Sequence, residues 1–327
     1  MSIRMWKRIG AMLVALVPFS PAGAQQLQKL VFATDWLAQA EHGGFYQAVA
    51  EGTYRKHGLD VQIRMGGPQV NGLQLLAAGQ IDIAMADALQ VLSAIEQNVP
   101  VVAFAATFQK NPTVIISHPG VNRLEDLKGK PVAVAAASNT TFWPWLRQKY
   151  GFTDNQKRPY GFSVQPFLAD RTLSQQGFAT SEPFSIEKGG VRPMVFLLAD
   201  FGYPPYSEAL VVTQATLTSQ RDALERFLRA SAEGWRSYLA NPAPGNALIK
   251  QANPQMSDEL IAYGVRKLNE YGIVTGGDGR RLGLLTMTEG RWQATIDFLR
   301  SSGLAKPNVD YRRAYTLDLV KAVRVVP

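Results

Sequence analysis

Three observations in the sequence predict an α/β fold in two units. Short β-rich apolar runs alternate with helical stretches from Lys29 to Thr107. The same rhythm restarts after Pro119. The 327-residue chain is long enough to bury two substantial cores. A β-α-β-α order favours a largely parallel sheet covered by helices, because parallel neighbours need a crossover between them.

The elements follow in order. Strands are expected over Lys29–Thr34, Leu59–Met65, Ile81–Met85 and Val101–Thr107, with helices near Phe45–Lys56, Val70–Ala78 and Leu89–Gln97. Gly58 and Gly79 stand where helix stops are wanted, since glycine enters the left-handed region without a Cβ clash. In the second unit Pro131–Ala135 reads as a strand and Phe142–Tyr150 as a helix opened by Ser138-Asn139-Thr140. Further strands are expected at Phe162–Phe167 and Met194–Leu198. From Thr218 the pattern is mostly helical: a helix to about Ala240, broken by Pro242 and Pro244, then helices near Ser257–Glu270, Gly290–Ser302 and Thr316–Val323.

Residues 1–24 read as a cleaved export signal. Arg4, Lys7 and Arg8 form a basic start, Ile9–Phe19 an apolar run too short to span a bilayer, and Ala22-Gly23-Ala24 a small-x-small cleavage site. The expected destination is the periplasm. No other segment approaches a membrane span. The chain has no cysteine, which removes disulfides, thiolate metal sites and cysteine nucleophiles. Its three histidines lack metal-like spacing. Three of the 34 basic residues and none of the 26 acids fall in the leader, so the formal +8 becomes +5 for the remainder. With no run of like charge, a nucleic-acid partner is not expected.

Candidate site residues gather where strands hand over to helices, the place where open α/β sheets bind ligands. Asp35 and Trp36 follow the first strand: the indole offers a stacking face and the carboxylate accepts hydrogen bonds from an amine. Their bland reading is a helix cap beside a core tryptophan. His42 precedes Gly43-Gly44, whose backbone N–H groups are open to close approach; an N-cap imidazole is the alternative. Gly67 and Gln69 follow the second strand in a loop too short for a P-loop, Asp87 the third and Gln109 the fourth. In the second unit the candidates are Ser138, Asn139 and Thr140 at a helix start, Trp143 as a cleft-facing aromatic, Glu182 and Tyr203. Capping would also explain Ser138 and Asn139, the helix dipole Glu182, and Pro-rich stiffness the Tyr203 loop.

Several of these residues carry a family resemblance. Asp35-Trp36, the following His42-Gly43, and Gly52-x-Tyr54-x-x-x-Gly58-Leu59-Asp60-Val61 resemble periplasmic binding proteins of the type that includes those for the thiamine pyrimidine precursor, alkanesulfonates and nitrate. So do Asp126–Val134 (DLKGKPVAV), Glu182-Pro183 and Arg291–Leu304. The thiamine-pyrimidine branch is the nearest. The resemblance implies a two-lobed periplasmic binding protein (type II-like), each lobe a mixed, mostly parallel sheet flanked by helices, with the ligand in the interlobe cleft. Lobe 1 would comprise residues 25–112 and 209–327, and lobe 2 the inserted residues 113–208, with crossings near Asn111–Thr113 and Tyr206–Val212.

The expected function is then the solute-binding component of an ABC importer: a monomer without cofactor that closes on a small flat nitrogen heterocycle and delivers it to a permease in the inner membrane. A tryptophan with two acids suits an amino-substituted ring better than a sulfonate or nitrate, which would call for arginine, lysine or several free N–H groups; the site also suits a larger flat molecule such as a flavin or purine. A second class is enzymatic, since fungal enzymes that make the thiamine pyrimidine resemble this fold. They use a histidine, a pyridoxal-phosphate lysine and a cysteine-rich motif. His42 falls at a matching position, but the cysteines are absent and no lysine matches, so a non-enzyme is expected. A sensor built on the same lobes is a third class.

Overall fold

The computed structural model describes residues 26–67 and 70–327. The leader and Gln69 therefore lie outside the described residues. Ten strands form two five-stranded sheets: β1 (Gln28–Ala33), β2 (Leu59–Arg64), β3 (Ile83–Ala86), β4 (Val101–Ala106), β5 (Thr113–Ser117), β6 (Val132–Val134), β7 (Lys157–Pro159), β8 (Ser174–Phe178), β9 (Met194–Leu197) and β10 (Ala209–Thr213). The first sheet has the order β2-β1-β3-β10-β4 and the second β7-β6-β8-β5-β9. The chain thus passes from one sheet to the other between β4 and β5 and returns between β9 and β10.

The direction of the strands has a simple cause. Strands joined by helices within one sheet, β2-β1-β3 and β7-β6-β8, pair in parallel. Every antiparallel pair contains β5 or β10, the strands on which the chain enters a sheet from the other one. Each sheet is therefore evenly mixed. A consequence matters for the site: the start of β10 lies at the same edge as the ends of β1, β3 and β4.

Most expected elements form within a residue or two of their predicted limits, and the departures are local. The first helix is split into Gly43–Ala50 and Thr53–Lys56 by Gly52, which sits at φ 66°. Phe162–Phe167 is not a strand: Phe162 has φ 57° and Gln165–Ala169 is a short helix with Pro166 in its first turn, where its missing N–H costs nothing. Pro242 and Pro244 end one helix as expected, and they also open another, Ala243–Ala252.

The core of the first sheet explains the Gly43-Gly44 pair. The Gly43–Ala50 helix lies against the long Arg221–Ala240 helix. A Cβ on Gly43 would come within 2.0 Å of the Tyr238 ring, and one on Gly44 within 2.2 Å of Trp235. These glycines allow close helix packing rather than an approach to a ligand. Trp235 and Tyr238, both fully buried, fill the space they leave.

Candidate functional site

The first-sheet edge collects four acids and a histidine. Asp35 leaves β1, and its Oδ1 stands 3.2 Å from Nε2 of His42, a fully buried ring at the start of the Gly43–Ala50 helix. Glu208 comes in just ahead of β10 with φ 56°, a left-handed backbone that is strained for glutamate. One donor atom each from Asp35, His42 and Glu208 lie within 4.8 Å of one another. Glu208 is 2 % exposed, and among the described residues its Oε2 has no hydrogen-bond partner. Burial, and then the charges of Asp35 and Glu41, push its carboxyl well above the usual range. Glu41 is also buried; burial raises its carboxyl against the lowering effect of the Thr180 hydroxyl, which donates to it from the second lobe.

Asp87 follows β3 and caps the Ala88–Glu96 helix, accepting from Leu89 N–H at 2.8 Å in a reciprocal capping box with Gln90. The residue is half-buried, but its carboxyl is enclosed by protein and pushed up to about 7, by burial first and by Asp35 as well. Arg291, the cation that favours the charged form of Asp87, is committed elsewhere. Its Nε donates to Pro204 O at 2.8 Å, Nη2 to Pro205 O at 3.2 Å and Nη1 to Gln109 O. Its guanidinium also lies 4.0 Å from the centre of the Tyr206 ring. It thereby ties both interlobe crossings to the Glu289–Ser301 helix.

The second-sheet edge brings aromatic faces and a satisfied polar network. Phe162, after β7, meets Trp36 of the first lobe at 5.3 Å between ring centres, tilted by 40°. Tyr160 lies 5.3 Å from Phe162 and donates its hydroxyl to Glu182 Oε1 at 3.0 Å. The other oxygen of Glu182 accepts from Phe178 N–H at 2.7 Å and from the Ser181 hydroxyl at 2.6 Å. Ser138 donates to Gln176 Oε1 at 2.6 Å. A groove of about 640 Å³ runs from Asp35, Met85 and Ala86, past Thr140 and Thr141, along the Gly72–Ala77 and Ala88–Glu96 helices.

The structure brings together Asp35, Trp36, His42 and Asp87 of the expected residues and sets Glu182 across from them. Several others have different work. Trp143 is not a cleft-facing aromatic: it is 1 % exposed, packs edge-on against Phe152 and donates its indole N–H to Asp154 at 2.9 Å. Phe142, Trp143, Trp145 and Leu146 are all buried on that one helix, so the apolar face is wider than the sequence reading allowed. Tyr203 is buried between Trp145 and Phe298. Gln109 donates to Ala106 O and Thr286 O inside the first lobe. Asn139 and Thr140 are exposed and bond to carbonyls of their own turn. Gly67 is buried in the loop after β2; among the described residues a Cβ there would meet Leu37 at 3.7 Å, whereas at Gly66 it would collide with Thr34 O at 2.3 Å.

Sequence reasoning missed Glu208, Glu41, Tyr160 and Phe162. Glu208 lies within the predicted return crossing, and only the antiparallel entry of β10 carries it to the Asp35 edge. The sequence pattern places Phe162 in a strand. Its 55 % exposure on a left-handed backbone is the tertiary signal that marks it.

Two mixed sheets linked by paired crossings, with strand ends converging on a shared cleft, define the class of two-lobed, periplasmic-binding-protein folds. Within that class the chain belongs to the NMT1/THI5-like family, whose model matches residues 39–244. It is 23% identical to the riboflavin-binding protein RibY of Chloroflexus aurantiacus, over 92% of this chain and 88% of the relative. It is 24% identical to a formylaminopyrimidine-binding protein of Halalkalibacterium halodurans, over 67% and 68%. A relative from Aspergillus parasiticus, 23% identical over 79% and 83%, is named a 4-amino-5-hydroxymethyl-2-methylpyrimidine phosphate synthase. Among solved structures the fold is similar to the periplasmic aliphatic sulphonate binding protein SsuA of Escherichia coli, with TM-score 0.65, 15% identity and coverage of 88% of this chain and 91% of that one.

Proposed function

We propose that the protein is the exported solute-binding component of an ABC importer and takes a small flat nitrogen heterocycle, of the thiamine-pyrimidine-precursor type, between its lobes. The supporting observation is the meeting of Trp36 and Phe162 from opposite lobes, beside the acceptors Asp35 and Glu208. Flat rings stack on such faces, and carboxyl groups read ring amines and ring nitrogens. Arg291 is already engaged with backbone carbonyls, so an acid-lined cleft disfavours a sulfonate. Lobe 1 is residues 25–112 and 209–327, and lobe 2 residues 113–208. A solute touching both lobes favours the closed arrangement over the open one, and the closed form engages a permease in the inner membrane. The protein works as a periplasmic monomer, and without catalysis, since the fungal enzymes that resemble this fold rely on a cysteine-rich motif and this chain has no cysteine.

A relative matched over 92% of this chain is named for riboflavin, which favours a larger flat ring as the second reading. Calorimetry and tryptophan fluorescence of the protein from Gln25 onward separate the two, with 4-amino-5-hydroxymethyl-2-methylpyrimidine, its formylamino analogue and riboflavin as titrants. Saturable binding of a pyrimidine, weakened in Trp36→Ala, is the expected result. Binding of riboflavin alone would replace the pyrimidine reading. Binding of an alkanesulfonate with no response to any heterocycle would sink both.

A further inference from the structure

We propose that Asp35, His42 and Glu208 form a binding site for a divalent transition metal at the floor of the cleft. The three donors are an imidazole nitrogen and two carboxylate oxygens, already within 4.8 Å of one another and, for Asp35 and His42, at 3.2 Å. Bonds of about 2.0–2.2 Å in a tetrahedral site put ligand atoms about 3.4 Å apart, so the trio needs only small side-chain shifts to close on an ion. Imidazole with carboxylates suits zinc and its neighbours better than magnesium or calcium, which prefer all-oxygen shells.

A second, independent observation points into the same place. The Glu208 carboxyl is buried, and its Oε2 lacks any partner among the described residues. An unpaired buried acid is costly, and this one is held there on a strained backbone at φ 56°. Strain and an unmet acceptor at one residue mark a position shaped for something other than stability. Three separate segments fix the donors: the end of β1, the turn before the Gly43–Ala50 helix, and the start of β10. The side chain of Asp35 is 34% exposed, which leaves the fourth coordination position open towards the cleft, where water or a solute heteroatom would complete the shell.

This site stands or falls separately from the heterocycle reading. The test uses untagged protein from Gln25 onward, stripped with EDTA and dialysed, then titrated by calorimetry with Zn²⁺ and, in parallel, Mg²⁺. The expected result is about one equivalent of Zn²⁺ and no saturable Mg²⁺ binding. Glu208→Gln and Asp35→Asn should each weaken Zn²⁺ roughly tenfold or more, with unchanged far-UV circular dichroism. Bound Co²⁺ should show the intense visible bands of a four-coordinate site and lose them in His42→Gln. Absence of saturable Zn²⁺ binding, or wild-type affinity in both Glu208→Gln and Asp35→Asn, overturns the proposal. Titration with the heterocycles in EDTA reads the solute function alone.

Discussion

At the cleft edge of the second sheet, Glu182 accepts from Phe178 N–H, Ser181 and Tyr160, and Ser138 is bound to Gln176. At the facing edge of the first sheet, Glu208 Oε2 and His42 Nδ1 have no partner among the described residues. At these two edges the second lobe satisfies Glu182 and Ser138 internally, while the first leaves Glu208 Oε2 and one ring nitrogen of His42 unmet. Networks that are satisfied internally rigidify a scaffold, whereas buried unsatisfied groups raise the free energy of the empty state until something binds. On this contrast we propose that recognition chemistry lies mainly in the first lobe, with the second a rigid wall that contributes Phe162 and Tyr160.

The largest expected effect separates wall from site among the tryptophans. Trp143→Ala should cost about 3–5 kcal/mol of stability, the range for emptying a core aromatic position, with solute affinity unchanged in the fraction that folds. Denaturant unfolding with and without solute measures both. If solute affinity falls while stability holds, Trp143 faces the cleft after all.

Next is the pair of glutamates. Glu182→Gln should destabilise by about 1–3 kcal/mol, because its carboxyl closes the β8 turn through a backbone N–H and two hydroxyls. Glu208→Gln should leave the metal-free protein as stable or make it more so, since it removes a buried acid with an unpartnered oxygen. Equal losses of melting temperature in the two variants would erase the contrast between the lobes.

Trp36→Ala should weaken the solute by about 1 kcal/mol or somewhat more, the scale of a lost aromatic stack plus part of its burial, with a smaller change in stability. Titration calorimetry at matched temperature decides it; a drop in melting temperature without loss of affinity would make Trp36 an interlobe strut only.

The last expected effect is a pH dependence. The Asp87 carboxyl is raised from 3.8 to about 7. The folded state therefore holds a proton that the unfolded chain releases near pH 4. The stabilising contribution is fully present below about pH 4 and is lost as pH rises through about 7. Asp87→Asn should flatten that part of the stability curve, read by chemical unfolding between pH 4 and 8, and keeps a helix cap, because asparagine accepts the same backbone N–H. An unchanged slope would show that Asp87 titrates alike in the folded and unfolded chains.

The sequence by itself determined the α/β class, the helix stops at Gly58 and Gly79, the strands β1 to β4, β6 and β9, and the gathering of Asp35, Trp36, His42 and Asp87 at one edge. These are legible because periodicity, turn chemistry and parallel crossovers are local, and because parallel strands deliver their ends to the same side. Only the tertiary structure decided that Glu208 joins them, since its place depends on β10 entering antiparallel between β3 and β4 after an excursion through the other sheet. The tertiary structure also sent Trp143 inward and brought Phe162 to Trp36. An aromatic side chain reads alike in sequence whether it fills a core or walls a cleft; what distinguishes the two is which surfaces it meets, and that is fixed by long-range packing.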